Sequence, residues 1–219
     1  MWKNFKNILT ENKGIFAIGI GDVVGNGISA VFWFVLAALL GPEQYGEIHY
    51  FLAIAGIAQI FALIGTSHTM TVYTAKNVRI QPALMLISLS AGGIAALIII
   101  INFMRFDIAF LVFAFMFIEI SSGILLGRKN YSSYSKFLLI QKTLLFALGL
   151  GLFHLFGVNG IIYGIALSYV PYALIIFQEF KKSKIDFSLI IPRKGFIINN
   201  YATILSGSFG SQIDKFLIA

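Results

Sequence analysis

Four polar or aromatic side chains near the start of the chain recur at the spacing of an α-helix. They are Asp22, Asn26, Ser29 and Trp33. At about 100° per residue they share one narrow stripe, which can line a cavity, bind a cation or face another helix. Gly21 and Gly25 have the GxxxG spacing that lets membrane helices approach closely, so a helix-packing seam is the second interpretation of this segment.

Two charged residues interrupt apolar runs later in the chain. Glu119 lies near the middle of one run. It either pairs with a neighbouring helix or carries a coupling proton or sodium ion, and Asp22 is the second candidate for this coupling role. Lys142 shares a helical face with Ser135 and Gly149, and helix rise places it about 9 Å from the end of its run. Its ammonium either binds an anionic group or extends to the membrane surface.

The remaining candidates are an acid–base pair near the end of the chain. Asp214 and Lys215 are adjacent, so on a helix they point about 100° apart and are expected to contact different helices. We treat Asp214 as an ion-coupling candidate and Lys215 as a cavity candidate. The histidines lack metal-ligand spacing and the chain has no cysteine, so neither a metal site nor a cofactor is predicted.

Composition indicates which elements carry these residues. Apolar residues make up 58% of the 219-residue chain, charged residues make up 11%, and the mean hydropathy is +0.89, values outside the range of soluble domains. The apolar runs lack the alternation of barrel strands and are long enough to cross a hydrocarbon core of about 30 Å as helices. The sequence therefore predicts an all-α, polytopic membrane helix bundle.

Six membrane spans and the start of a seventh are predicted. The spans cover about residues 15–40, 48–65, 82–103, 108–126, 137–156 and 160–177, and the seventh begins at Tyr201. Residues 1–200 then form one six-helix lobe, and 201–219 begin the next helix. Residues 66–81 are predicted as a polar link. Pro171, inside the sixth span, is expected to kink that helix because it frees a backbone carbonyl.

The basic residues are concentrated in alternate links. One set of links holds Lys3, Lys6, Lys13, Lys76, Arg79, Arg128, Lys129, Lys136, Lys181, Lys182, Lys184, Arg193 and Lys194. The opposite links hold only Arg105. By the positive-inside rule, the amino terminus is cytoplasmic and the turns at Pro42, Asp107 and Asn159 face outward, in a multi-pass protein of the cell membrane. The net charge of +7 is thus explained by the basic residues that set the membrane orientation, and no nucleic-acid partner is predicted.

Three stretches carry a family resemblance. They are Gly41-Pro42-Glu43-Gln44-Tyr45-Gly46 after the first span, Ile64-Gly65 followed by Thr74-Ala75-Lys76, and Gln212-Ile213-Asp214-Lys215. The first resembles the Leu-Gly-Pro-Glu-x-Tyr-Gly turn of the Wzx-type polysaccharide or O-antigen flippases, in the multidrug/oligosaccharidyl-lipid/polysaccharide (MOP) superfamily. The other two resemble the end of that family's second helix with its first cytoplasmic link, and the start of its seventh helix.

The resemblance implies a function and a set of partners. Such flippases carry undecaprenyl- or dolichyl-linked oligosaccharide across the membrane between two six-helix lobes, and this chain resembles the first lobe with part of helix seven. A C-terminal lobe or a second copy, membrane lipids, the lipid-linked substrate and a coupling H⁺ or Na⁺ are then the expected partners. Alternatives are a MATE-like drug or organic-cation antiporter with an acid-dominated cavity, and a membrane-embedded transferase. The transferase is disfavoured because the helices and links offer no paired acids at i, i+3 or i+4 beyond Glu43 and Glu47, so no enzyme is predicted.

Overall fold

The protein is helical throughout the part that its computed structural model describes, which is the backbone of residues 13–218 and the side chains of residues 14 and 16–207. No strand occurs in this part. Nine α-helices follow one another: α1 Lys13–Leu39, α2 Pro42–Leu63, α3 Thr66–Ala75, α4 Gln81–Phe103, α5 Phe106–Gly127, α6 Tyr131–Phe156, α7 Val158–Ser168, α8 Val170–Lys182 and α9 Lys194–Ile218. Two short 3₁₀ turns, Phe187–Leu189 and Ile191–Arg193, connect α8 to α9.

Six helical segments of the described residues are long and apolar enough to cross a membrane. They are Phe16–Leu39, Pro42–Leu63, Gln81–Phe103, Phe106–Gly127, Tyr131–Phe156 and Val158–Lys182. The last combines α7 and α8. The predicted all-α, polytopic bundle is confirmed, since each predicted span corresponds to one of these segments.

The predicted turn at residues 41–46 is wrong in its extent. α1 ends at Leu39 and α2 begins at Pro42, so only Leu40 and Gly41 connect the two helices. Pro42 occupies the first helical turn, where its fixed φ suits a helix and its missing N–H costs nothing. Glu43 in the same turn is favoured by the helix dipole. The second span therefore begins at Pro42 rather than near residue 48.

Residues 66–81, predicted as a polar link, contain the ten-residue helix α3. The chain reverses before it through Ile64 and Gly65, whose φ values are 49° and 71°. Gly65 suits this left-handed conformation because it has no Cβ. α3 buries Thr66, Met70 and Thr74 against the bundle. The segment predicted as a polar link is therefore a packed helix, which its polar composition did not indicate.

Two other predicted helix starts differ from the structure, and a predicted distortion is found. α6 begins at Tyr131 rather than 137, with the Asn130 side chain accepting a hydrogen bond from the Ser133 N–H (3.3 Å). α9 begins at Lys194 rather than Tyr201. The sixth span is broken at Tyr169, between α7 and α8, so the distortion predicted at Pro171 is confirmed as a helix break.

Three pairs of glycines spaced four residues apart hold helices together. Gly21 and Gly25 of α1 face side chains of α6, Gly123 and Gly127 of α5 face the backbone of α3, and Gly160 and Gly164 of α7 face the backbone of α6. A Cβ on Gly123 would lie 2.7 Å from the Ser67 carbonyl oxygen, and a Cβ on Gly164 would lie 2.6 Å from that of Leu148. These seams pack α1 and α7 against α6, and α3 against α5.

Candidate functional site

The polar stripe of α1 is separate from its packing seam. A Cβ on Gly21 would lie 2.9 Å from the Cβ of Ser135, and one on Gly25 would lie 3.3 Å from the Cγ of Lys142, so the glycines face α6. Asp22, one residue further along a helix, points about 100° away from Gly21. Asp22 is half-buried and Asn26 is exposed. The seam interpretation therefore applies to the glycines, and the polar stripe remains available for another role.

Aromatic residues join the stripe to α2 at one end. Trp33 packs on His49 with ring centroids 4.8 Å apart and on Tyr45 at 6.2 Å. Elsewhere α1 packs along α6 and has few contacts with α2. Ser29, one turn before Trp33, has a buried hydroxyl without a hydrogen-bond partner in the described part of the chain. The stripe thus contacts α2 mainly at its Trp33 end.

Two carboxylates from different helices lie in the neighbourhood of one tyrosine. Asp22 of α1 and Glu119 of α5 are both near enough to Tyr134 of α6 for their charges to act on its hydroxyl, although no hydrogen bond joins them in the described part. Glu119 acts in the same way on Tyr169, at the break between α7 and α8. Neither carboxylate forms an ion pair with any residue that the structure describes. We call Asp22, Glu119, Tyr134 and Tyr169 the acidic cluster.

The acidic cluster has the chemistry of a cation or proton site. Unpaired carboxylates within membrane spans are costly, and they are stabilised by protonation or by a bound cation. Phenol hydroxyls can donate hydrogen bonds to the ionised acids and can offer oxygen atoms to a cation. The structure therefore brings together the two ion-coupling candidates within its described part, and adds two tyrosines that the sequence did not associate with them.

Lys142 lies in the seam between α1 and α6. The predicted face of Ser135, Lys142 and Gly149 is confirmed. The Ser135 hydroxyl donates to the Ala17 carbonyl (2.7 Å), and a Cβ on Gly149 would lie 2.5 Å from the Phe32 ring. Lys142 is half-buried, and among residues 13–207 no ion pair or hydrogen bond links it to a carboxylate. Its ammonium is a cation within a span and without an anionic partner in that part.

The break in the sixth span contains a buried polar group that the sequence did not single out. The Gln141 amide donates to the Ser168 hydroxyl (3.1 Å), and the Ser121 hydroxyl donates to the Tyr172 carbonyl (3.0 Å). All four side chains are buried. Pro171, which lacks an N–H, leaves the helix ladder open here, and polar side chains satisfy part of the freed backbone. The sequence feature that could have indicated this group is a proline within an apolar run, with serine and tyrosine beside it.

Two ion pairs at the helix ends were also missed. The Arg128 guanidinium binds Glu179 through contacts of 2.7 and 2.6 Å, and Glu179 is only 2% exposed. Arg105 binds Asp107 in bidentate fashion, at 3.0 and 2.8 Å, and lies 3.6 Å from Glu47. The hydrogen bonds that the Arg105 guanidinium donates to Asp107 raise the pKa of Arg105 above its usual value, and burial opposes this shift. Arg128, interpreted as a topology determinant, therefore also joins α5 to α8.

The other candidates take structural positions or lie outside the described side chains. Gly41, Pro42 and Glu43 are exposed at the start of α2, while Gly46 is buried and Tyr45 contacts Trp33. Within the described part, no group of three or more histidine or acidic side chains is placed to hold a metal. The side chains of Asp214 and Lys215 fall outside the described residues.

The comparisons with known proteins add no relative. No family model, no curated protein and no solved structure matches this chain. Function therefore has to follow from the residues and their geometry.

Proposed function

We propose that this chain is part of a flippase that moves lipid-linked oligosaccharide across the cell membrane by alternating access, coupled to H⁺ or Na⁺. The observation that carries the proposal is the acidic cluster, in which Asp22 and Glu119 of two helices lie in the neighbourhood of the same tyrosine and neither forms an ion pair with a cation among the described residues. Ionisable groups inside membrane spans are typical of coupling-ion sites in transporters.

The polar stripe and Lys142 supply the features that a glycolipid substrate needs. Asn26 and Ser29 offer hydrogen-bonding groups to the glycan, since Asn26 is exposed and the Ser29 hydroxyl has no partner in the described part, while the polyprenyl tail stays in the bilayer. Lys142, half-buried and without a carboxylate partner in the described part, is suited to the anionic pyrophosphate. The resemblance around Pro42 supports a flippase lobe, whose partner is a C-terminal lobe or a second copy.

The same acids favour one alternative, a MATE-like antiporter of drugs or organic cations. Such a transporter needs an acid-dominated cavity, and the acidic cluster contains no lysine or arginine. Lys142 lies in the neighbouring seam rather than in the cluster. The two functions differ in what Lys142 does, because an anion carrier needs this charge and a cation carrier does not.

Single substitutions in a cell that lacks its own flippase test the proposal. We expect Lys142→Ala, Asp22→Asn and Glu119→Gln each to lower export of surface polysaccharide about tenfold or more, with the protein still present in the membrane. The matched controls are Lys136→Ala on the exposed side of α6 and Glu43→Gln at the exposed start of α2, both expected to keep export.

The outcomes separate the two transporters. If Lys142→Ala leaves export unchanged, the pyrophosphate role is wrong. If the wild-type protein fails to restore export but protects cells from cationic dyes, and Glu119→Gln abolishes that protection, the antiporter is correct and the flippase is not.

A further inference from the structure

Two positively charged side chains lie near one aromatic ring at the end of α3. The Lys76 ammonium lies 5.7 Å from the centroid of the Tyr73 ring, and the Arg193 guanidinium carbon lies 5.2 Å from the same centroid. Lys76 directly follows α3, whereas Arg193 belongs to the connection between α8 and α9. Neither cation forms a salt bridge with a carboxylate in the described part of the chain.

Arg193 and the Tyr73 ring are held in place by their surroundings. The Arg193 guanidinium donates to the Leu189 carbonyl (2.6 Å), and Phe196 packs edge-on against Tyr73 with centroids 5.4 Å apart. Asp186, which is the only acid between residues 183 and 194, is already used, since its Oδ1 accepts from the Ser188 N–H (2.9 Å) and hydroxyl (2.6 Å). Two positive charges beside one ring, without a carboxylate partner in the described part, favour an anion from outside the protein.

Apolar side chains are exposed on the same connection. We call residues 181–194 the basic connector. Ile185, Phe187 and Ile191 are 45%, 50% and 70% exposed. The exposed lysines Lys181, Lys182, Lys184 and Lys194 flank them on both sides along the chain. The connector begins at the last two residues of the sixth span, at the end of the bundle where α3 and α5 also terminate. Exposed apolar residues flanked by basic residues next to a membrane span are typical of segments that lie at a membrane surface.

We propose that the basic connector and Lys76 form a docking surface for anionic phospholipids. Lys76 and Arg193 attract lipid phosphates, and Ile185, Phe187 and Ile191 enter the boundary between headgroups and acyl chains. A free phosphate ion would satisfy the two cations but not the three apolar side chains, which is why the bilayer surface is the occupant. The surface is independent of the transport function proposed above.

Topology alone does not account for this arrangement. The positive-inside rule needs only the number of basic residues in a link, whatever their positions. It does not call for two cations on one ring, nor for apolar side chains exposed beside them. Variants of equal charge therefore distinguish a docking surface from a topology signal.

Lipid binding to the purified chain in an uncharged detergent, measured by native mass spectrometry, tests the proposal. We expect phosphatidylglycerol to bind more tightly than phosphatidylcholine. The double variant Lys76→Gln with Arg193→Gln should weaken phosphatidylglycerol binding about tenfold to thirtyfold, since each cation near a lipid surface contributes about fivefold. The control Lys129→Gln with Lys136→Gln removes the same charge from the same group of links, and should change binding less than about twofold.

Two further measurements complete the design. Lys76→Gln with Lys184→Gln keeps the bond from Arg193 to Leu189 and so tests charge without disturbing the connector. We expect it to weaken phosphatidylglycerol binding about fivefold or more. Ile191→Ser should weaken binding of the same lipid with no change in charge. Equal loss in the target and control pairs, or displacement of phosphatidylglycerol by inorganic phosphate, would overturn the proposal.

Discussion

The Arg128 guanidinium offsets the free-energy cost of burying the charge of Glu179. Its carboxylate is 2% exposed and its ion pair is with Arg128, whose side chain is 40% exposed. Removing one partner of a buried ion pair costs about 3–5 kcal/mol, and the exposure of Arg128 reduces this to about 2 kcal/mol. We expect Arg128→Ala to lower the melting temperature in detergent by several degrees, measured by intrinsic fluorescence.

The neighbouring lysine provides the control for this ion pair. Lys129 is exposed and forms no salt bridge in the described part, so Lys129→Ala should leave the melting temperature within about a degree of wild type. Adding Glu179→Gln to Arg128→Ala should recover part of the loss, because the uncompensated charge is then gone. Equal melting temperatures for Arg128→Ala and Lys129→Ala would mean that the pair contributes nothing.

Individual site residues were predictable from the sequence only where their type is unusual for their position. Asp22 and Glu119 are conspicuous because acids are rare in apolar runs. Their common proximity to Tyr134 was not predictable, since it depends on how α1 packs beside α5 and α6, which lie far from it in the sequence. Glu179 was overlooked because it lies beside Lys181 and Lys182 and looked like part of a solvated helix end. Its burial is a property of the packed bundle.

At the scale of helices, the glycine pairs decide how closely neighbours approach. A Cβ on Gly123 would lie 2.7 Å from the Ser67 carbonyl oxygen and 3.3 Å from the Cβ of Met70, so α3 and α5 would have to separate. Overpacking of this kind costs about 1–3 kcal/mol. We therefore expect Gly123→Ala to lower the thermal stability of the protein in detergent.

Gly93 provides a matched control within another span. A Cβ on Gly93 meets nothing within 4 Å, so Gly93→Ala adds helix propensity without a clash. Its stability should stay equal to that of wild type or rise by about 0.5–1 kcal/mol. If Gly123→Ala and Gly93→Ala change the stability in the same direction, the close approach of α3 and α5 is not the cause of the change in Gly123→Ala.

The helix break at Tyr169 is expected to serve motion rather than stability. Tyr172 bonds back to the Tyr169 carbonyl at 3.0 Å, because Pro171 has no N–H to continue the ladder. Pro171→Ala restores that donor, so we expect the melting temperature to hold or rise. Within the proposed function, polysaccharide export should fall about tenfold, since broken helices are typical of the moving parts of transporters.

Pro82→Ala is the matched control for Pro171→Ala, because it also replaces a proline by alanine. Pro82 lies in the first turn of α4, where its missing N–H is not needed, so Pro82→Ala should keep export near the wild-type level. Full export by Pro171→Ala would show that the break is not needed for transport.

The existence of the six spans was predictable, but the limits of several helices were not. Apolar length determines whether a segment can cross a membrane, and this signal is strong in all six segments. Helix ends extend beyond the apolar run wherever polar residues can continue the backbone ladder, as at the start of α6, where residues 131–136 are mostly polar. α3 was hidden for the same reason, because its threonines and serine look like a link.

At the scale of the whole molecule, the α1–α6 seam agrees with the alternation of basic links. Ser135 faces Gly21, Lys142 faces Gly25 and Gly149 faces Phe32, so positions along both helices increase together and the two helices run parallel. The first and fifth spans must run in the same direction if every span crosses the membrane once. The packing of α1 on α6 therefore supports the alternating topology independently of charge.

The absence of cysteine allows a direct test of which side each link faces. Single cysteines at the exposed positions Gln44 and Asn159 should react in whole cells with a maleimide that cannot cross the membrane, because the positive-inside rule places both outside. Cysteines at the exposed positions Ser132 and Lys184 should react only after the cells are opened. A reversed pattern would contradict the orientation while leaving the bundle intact, since the seams do not depend on direction. Labelling of Gln44→Cys and Ser132→Cys from the same side would contradict the six-span topology itself, because three crossings separate these two positions.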